Sequence, residues 1–188
     1  MPSTSEAGQP KLQTRIAMKD KAGKMPSTSE AGQLTLYDAG LFIGALLKGD
    51  PRHAEARLLV EAARCGEIRG CTTPGISSEV YGALTWEKAQ PSHDPREAAA
   101  AVRLLVETPS LIQVLDVGLE TTLLALELAA AHHLTARRVH DARHAAAALL
   151  AGVRSVYTYD VQDWKPFEAN GLRIAGPAST LAILKRPL

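Results

Sequence analysis

The chain has 188 residues, with 21 Lys plus Arg against 20 Asp plus Glu and a formal net charge of +1 at pH 7. That balance excludes a protein drawn onto nucleic acid by its overall field, so any such contact must rest on local patches. The 46% hydrophobic fraction suits one globular domain with a sizeable core rather than a disordered chain, and no apolar run approaches the roughly 18 residues of a membrane span.

The opening Met-Pro-Ser-Thr-Ser-Glu-Ala-Gly-Gln recurs letter for letter at 25–33, across a Lys-rich spacer. Neither copy has the periodicity of a helix or strand, and such a polar composition cannot bury enough surface to fold. Residues 1–33 are therefore expected to be a disordered or cloning-derived tail containing the duplicated segment, with the folded domain at 34–188. The N-terminus lacks the basic start and apolar core of a secretory signal, which points to the cytoplasm. Cys65 and Cys71 read as free thiols, since nothing else suggests a disulfide scaffold.

The fold is expected to begin with a strand at Leu-Thr-Leu-Tyr, ended by Asp38-Ala-Gly. Leu41, Phe42, Ala45 and Leu46 then recur at helical spacing, and residues 51–65 form a second helix stopped by Gly66. A strand near Ile68–Thr73 leads into a helix over Ile76–Trp86, with Ser77 or Ser78 available near its start. Asp94-Pro95 opens a further helix running through Ala98–Val106. Leu111–Val117 is a β-rich run, Leu119–His133 an amphipathic helix, and Val139–Ala151 an alanine-rich helix ended by Gly152. Val153–Tyr159 and Gly171–Gly176 supply two last strands. Alternation of this kind predicts a three-layer α/β/α sandwich around a mostly parallel central sheet.

In such a sheet, ligands gather outside the carboxyl ends of the strands. Asp38 and Asp160 each stand where a strand has just finished, while Glu79 and Asp141 lie near the starts of helices that should point to the same edge. Converging carboxylates repel one another, and a hard divalent cation that accepts oxygen ligands relieves the repulsion; Mg2+ or Mn2+ fits best. Such an ion would activate water to hydrolyse a phosphodiester without a side-chain nucleophile.

Four segments carry a family resemblance: Leu-Tyr-Asp38-Ala-Gly, Ser-Ser-Glu79-Val, Asp141-Ala-Arg-His-Ala-Ala-Ala and Thr158-Tyr-Asp160-Val-Gln-Asp163-Trp. Over about residues 34–177 the chain resembles PIN-domain ribonucleases, especially VapC-like toxins of bacterial toxin–antitoxin pairs. The resemblance implies a Mg2+- or Mn2+-dependent endoribonuclease with Asp38, Glu79 and Asp141 as the core acids, Asp160 as the fourth and Thr158 as a polar supporter. It also implies an RNA substrate, a cognate antitoxin and a homodimer. Family members often show Asp-x-Asp-aromatic in the last segment. Here Val161 and Gln162 separate Asp160 from Asp163, so the fourth acid lies between those two, with Asp160 preferred.

Each residue also has a plainer reading. Asp38 suits a helix N-cap, Glu79 and Asp141 suit solvated first-turn positions, and Asp160 and Asp163 suit a turn. His140 and His144 share a helix face but lack the third partner of a zinc site, and read as exposed helix residues without a role. Arg137, Arg138, Arg143 and Arg154 could hold phosphates or form a charged surface. Trp86 and Trp164 read as core anchors before base-stacking platforms. The functional alternative is a non-catalytic PIN-like interaction module. A phosphatase with Asp38 as nucleophile would want a second Asp at position 40, which is Gly.

Overall fold

The computed structural model describes residues 32–177. Nearly all of the expected tail, and residues 178–188 of the expected domain, lie outside the described residues.

Five short strands, β1 (Thr35–Tyr37), β2 (Gly70–Thr72), β3 (Gln113–Val114), β4 (Ser155–Tyr157) and β5 (Arg173–Ala175), form one sheet in the order β3-β2-β1-β4-β5. Every neighbouring pair is parallel. Leu36, Tyr37, Cys71, Thr72, Val156 and Tyr157 are all buried, as expected of central strands covered on both faces.

The helices α1 (Ala39–Leu46), α2 (His53–Arg64), α3 (Pro74–Leu84) and α4 (Pro95–Val106) pack in succession, α1 on α2 and α3, and α3 on α4. The helices α5 (Leu119–Ala131) and α6 (Arg138–Leu150) pack on each other. Right-handed crossovers send the chain outward from β1 to β3 with α1–α4 on one face, and the return to β4 lays α5 and α6 on the other. The result is the expected three-layer sandwich. The alanine run of α6 explains itself here, because Ala142, Ala145, Ala146, Ala147 and Ala148 are all buried and small side chains let the helix approach its neighbours closely.

Three local expectations are corrected. The cap of α3 is Thr73, whose hydroxyl accepts from the Ile76 amide at 3.3 Å; Pro74 at the first helical position starts the helix before Ser77 or Ser78. The run Leu111–Val117 pairs only over Gln113–Val114, while Ile112 and Leu115 on either side turn into the core. After β4 a four-residue helix, α7 (Val161–Trp164), passes into a 3-10 turn over Lys165–Asn170. Periodicity cannot announce elements this short.

An aromatic cluster sits under the middle of the sheet. Tyr37 meets Phe42 and Tyr157 edge-on, with ring centres 6.2 and 6.3 Å apart. A Cβ at Gly70 would stand 2.7 Å from Tyr37 Cε2 and 3.1 Å from Ala63 Cβ. Gly70→Ala is therefore expected to cost about 1–3 kcal/mol through overpacking, read as a lower urea midpoint at unchanged slope.

Candidate active site

The sheet order reverses between β1 and β4, and this switch point is where an open parallel sheet leaves a crevice at its carboxyl edge. Leu36 pairs with Cys71, and Tyr37 with Tyr157, so the next residues out, Thr73, Asp38 and Thr158, form a row along that edge. The row holds one charge and two hydroxyls.

Asp38 is the most constrained of the acids. Its Oδ1 accepts from the Ala39 amide at 2.8 Å, so the N-cap reading is correct as far as it goes. Its Oδ2 has a different duty, accepting from the Thr158 hydroxyl at 2.7 Å and the Trp164 indole N–H at 3.2 Å. Thr158 is itself fixed, since its oxygen accepts from the Asp160 amide at 2.9 Å. Burial raises the Asp38 carboxyl above its ordinary value, the bonds from Thr158 and Ala39 pull it down, and the charge of Glu79 pushes it up. A cap needs only one of the two oxygens, and the second is aimed by residues 120 and 126 positions away.

Asp141 lies in the first turn of α6. Its carboxyl is pushed up to about 7, first by burial and then by the charges of Asp38, Asp163 and Glu79, with His144 pulling the other way. These four carboxylates therefore share one electrostatic neighbourhood. Glu79, in the second turn of α3, meets His144 Nε2 through its Oε1 at 2.9 Å. Asp163 lies on α7, with Oδ1 3.3 Å from Arg138 Nε. Asp160 is exposed and its side chain makes no cap bond to α7.

Two side chains that hold the acids, His144 and Trp164, were not expected to do so, nor was Thr73 expected to hold His144. His144 is 1% exposed, with Nδ1 2.8 Å from the Thr73 hydroxyl and Nε2 on Glu79; it is a core residue, not an exposed one. Trp164 is fully buried, an anchor as expected, and its indole N–H is a donor to Asp38. Thr73 was legible only as one of several hydroxyls near a helix start. Trp86 is 57% exposed, with the Lys88 ammonium 5.9 Å from its ring centre. Arg138 is engaged by Asp163, while Arg137 and Arg154 are exposed. Cys71 is buried and Cys65 exposed, both free.

The donor set suits a hard cation. Among the described residues no group of three or more His, Cys, Asp or Glu side chains is placed to hold a metal ion by itself. Mg2+ does not ask for one, since it keeps several waters and takes one or two carboxylates directly. Neighbouring carboxylates, one of them raised to about 7 by burial and then by the others, are the electrostatic counterpart of such an ion.

Among the described residues no helix is long and apolar enough to cross a membrane. No curated protein matches the chain. Among solved structures, the VapC20 toxin of Mycobacterium tuberculosis, which cleaves the sarcin–ricin loop, superposes with a TM-score of 0.57 at 21% identity, over 75% of this chain and 97% of that one. VapBC2 from Rickettsia felis, bound to a DNA fragment from its promoter, gives 0.54 at 11% identity, over 77% and 98%. PAE2754 from Pyrobaculum aerophilum gives 0.52 at 20% identity, over 85% and 100%. These likenesses concern the fold. A family model for the PIN domain matches residues 35–165, a span that runs from the strand presenting Asp38 to the tryptophan that holds it, and the chain accordingly belongs to the PIN-domain family.

Proposed function

We propose that this protein is a Mg2+- or Mn2+-dependent endoribonuclease, the toxin of a toxin–antitoxin pair, acting in the cytoplasm as a homodimer and restrained by a cognate antitoxin. The observation that carries the reading is the electrostatic proximity of Asp38, Glu79 and Asp163 to Asp141, whose carboxyl is pushed up to about 7 first by burial and then by those charges. Likeness to a toxin that cleaves ribosomal RNA and to VapBC2 supports the choice of RNA and of an antitoxin.

The chain's own residues set the stage. Asp38 presents Oδ2 in an orientation fixed by Thr158 and Trp164. Glu79 has one oxygen tied to His144, leaving the other for a ligand. Asp141 accepts a cation once its carboxyl has lost its proton, which burial, and after it the other acids, delay to near neutral pH. A bound divalent cation supplies polarisation of a phosphodiester oxygen and a lowered pKa for attacking water. Residues 1–33 are proposed to lie outside the nuclease domain.

We assign Asp163 as the fourth acid and Asp160 to the turn, reversing the order suggested by the sequence. Asp163 is among the charges that raise the Asp141 carboxyl, and Asp160 is exposed with no cap bond to α7. Asp163→Asn is expected to lower cleavage about 10–100-fold and Asp160→Asn less than about threefold, on the scale of lost metal-site support. Equal losses in the two variants would return Asp160 to the site.

The interaction-module alternative is less well supported, because burying the Asp38 and Asp141 carboxyls beside other acids costs stability and capping explains only one bond of Asp38. The deciding experiment incubates labelled RNA with the protein in Mg2+, in Mn2+ and in chelator. Discrete fragments with either cation and none in chelator are expected, and the fragment ends identify the RNA. Cleavage that persists in chelator overturns the metal dependence, and none under any condition favours the module.

A further inference from the structure

We infer that His144 is a positioning residue that presents Glu79 to the divalent cation; the inference rests on the metal-dependent reading above. His144 follows Asp141 by three residues on α6, so both face the same way, one turn apart. Its imidazole lies between two points of α3, the cap hydroxyl of Thr73 at 2.8 Å and the Glu79 carboxylate at 2.9 Å. An ionised carboxylate can only accept, so Nε2 carries the proton to Glu79. On the other side of the ring Nδ1 meets the Thr73 hydroxyl. Thr73 still accepts from the Ile76 amide, which leaves every member of the chain Ile76–Thr73–His144–Glu79 with a partner.

The ring has little freedom to do anything else. It is 1% exposed, and a Cβ at Gly75 would stand 2.7 Å from its Cε1. Gly75 therefore keeps open the space that the imidazole fills beside the first turn of α3. Glu79 is the acid that needs such help, because its side chain is 38% exposed and a long carboxylate left free loses rotamer entropy on meeting a ligand. Fixing one oxygen before the cation arrives removes part of that cost, as outer partners of metal ligands generally do.

The test is Mn2+ binding, followed by the paramagnetic resonance signal of the free ion and therefore independent of RNA cleavage. Melting curves on the same samples report the fold. His144→Phe is expected to weaken Mn2+ binding about tenfold, and His144→Gln, whose amide can still donate to Glu79, to stay within about threefold of wild type. Gly75→Ala touches no acid and is expected to weaken binding in the same direction by displacing the ring. The discriminating arm is Glu79→Gln, in which adding His144→Phe should change Mn2+ affinity no further. An undiminished His144→Phe effect in that background overturns the inference, because the ring would then act through the fold, and so does unchanged affinity in His144→Phe alone. Absence of Mn2+ binding by wild type overturns the metal-dependent reading and this inference with it, whereas wild-type binding with an inert His144 overturns this inference only.

Discussion

Asp38→Asn is expected to slow RNA cleavage roughly a thousandfold, about 4 kcal/mol of lost transition-state stabilisation, while leaving a folded protein. The bonds around Asp38 explain why these effects separate. All three of its hydrogen-bond partners, the Ala39 amide, the Thr158 hydroxyl and the Trp164 indole N–H, approach as donors. An asparagine offers one acceptor and one donor where the carboxylate offers two acceptors. Turned one way, its amide nitrogen faces the Ala39 N–H and the cap is lost; turned the other, it faces the Trp164 N–H. Either conflict costs about 1–2 kcal/mol. Against that stands relief from burying a charge, since the Asp38 carboxyl is raised chiefly by desolvation. The net change in thermal midpoint should be small, and cleavage and cation affinity should fall together. If Asp38→Asn cleaves RNA at the wild-type rate, the acidic site is not the seat of the reaction.

Asp141→Asn is expected to do two opposite things, abolishing cleavage and stabilising the cation-free protein at alkaline pH. The folded chain holds this carboxyl at about 7 against an ordinary 3.8. Below about pH 4 both the folded and unfolded chains carry the proton, and the site costs nothing. Between about 4 and 7 the folded chain binds more protons than the unfolded one, so stability falls as pH rises; above 7 the penalty is constant. The full shift corresponds to roughly 4 kcal/mol, which solvent screening of this half-exposed group reduces to about 2 kcal/mol. The variant should therefore melt roughly 5 °C higher than wild type at pH 8 without divalent cation and no differently at pH 4. Saturating Mn2+ should narrow the gap by stabilising wild type alone. A shift of equal size at both pH values would mean that the substitution acts through packing or hydrogen bonding rather than charge.

Much of the fold was readable because its long elements announce themselves. The apolar positions of α2 and α4, the Asp94-Pro95 start and Gly152, at φ +74° after α6, are local signals that the tertiary structure respects. Asp38 was readable for the same reason, as an acid where a strand stops. What was not readable depends on partners distant in sequence. His144 looked like an exposed helix residue because nothing near it in sequence reveals Thr73 and Glu79, 71 and 65 positions earlier. The choice between Asp160 and Asp163 turned on α7, a four-residue helix that carries Asp163 round toward Arg138. Spacing from the strand favoured Asp160, and the helix that makes Asp163 the proposed fourth acid is too short for any pattern to announce. The Trp164 indole bond to Asp38 lay hidden behind an unremarkable aromatic, whose burial alone was foreseeable.

The row of Thr73, Asp38 and Thr158 also has a history in time. The first acid directly follows the first described strand, yet the donors that aim its outer oxygen come 120 and 126 residues later. Strand β4, which leads to them, adds to the edge of β1 only after β1, β2 and β3 have been synthesised, and β5 follows it. Contacts so distant in sequence form late and slowly, and a nascent chain that has not yet emerged past Trp164 has Asp38 but not its orientation. On the proposed reading, a chain still on the ribosome has no assembled acidic site until the domain is almost complete, which would separate its synthesis from its action on RNA.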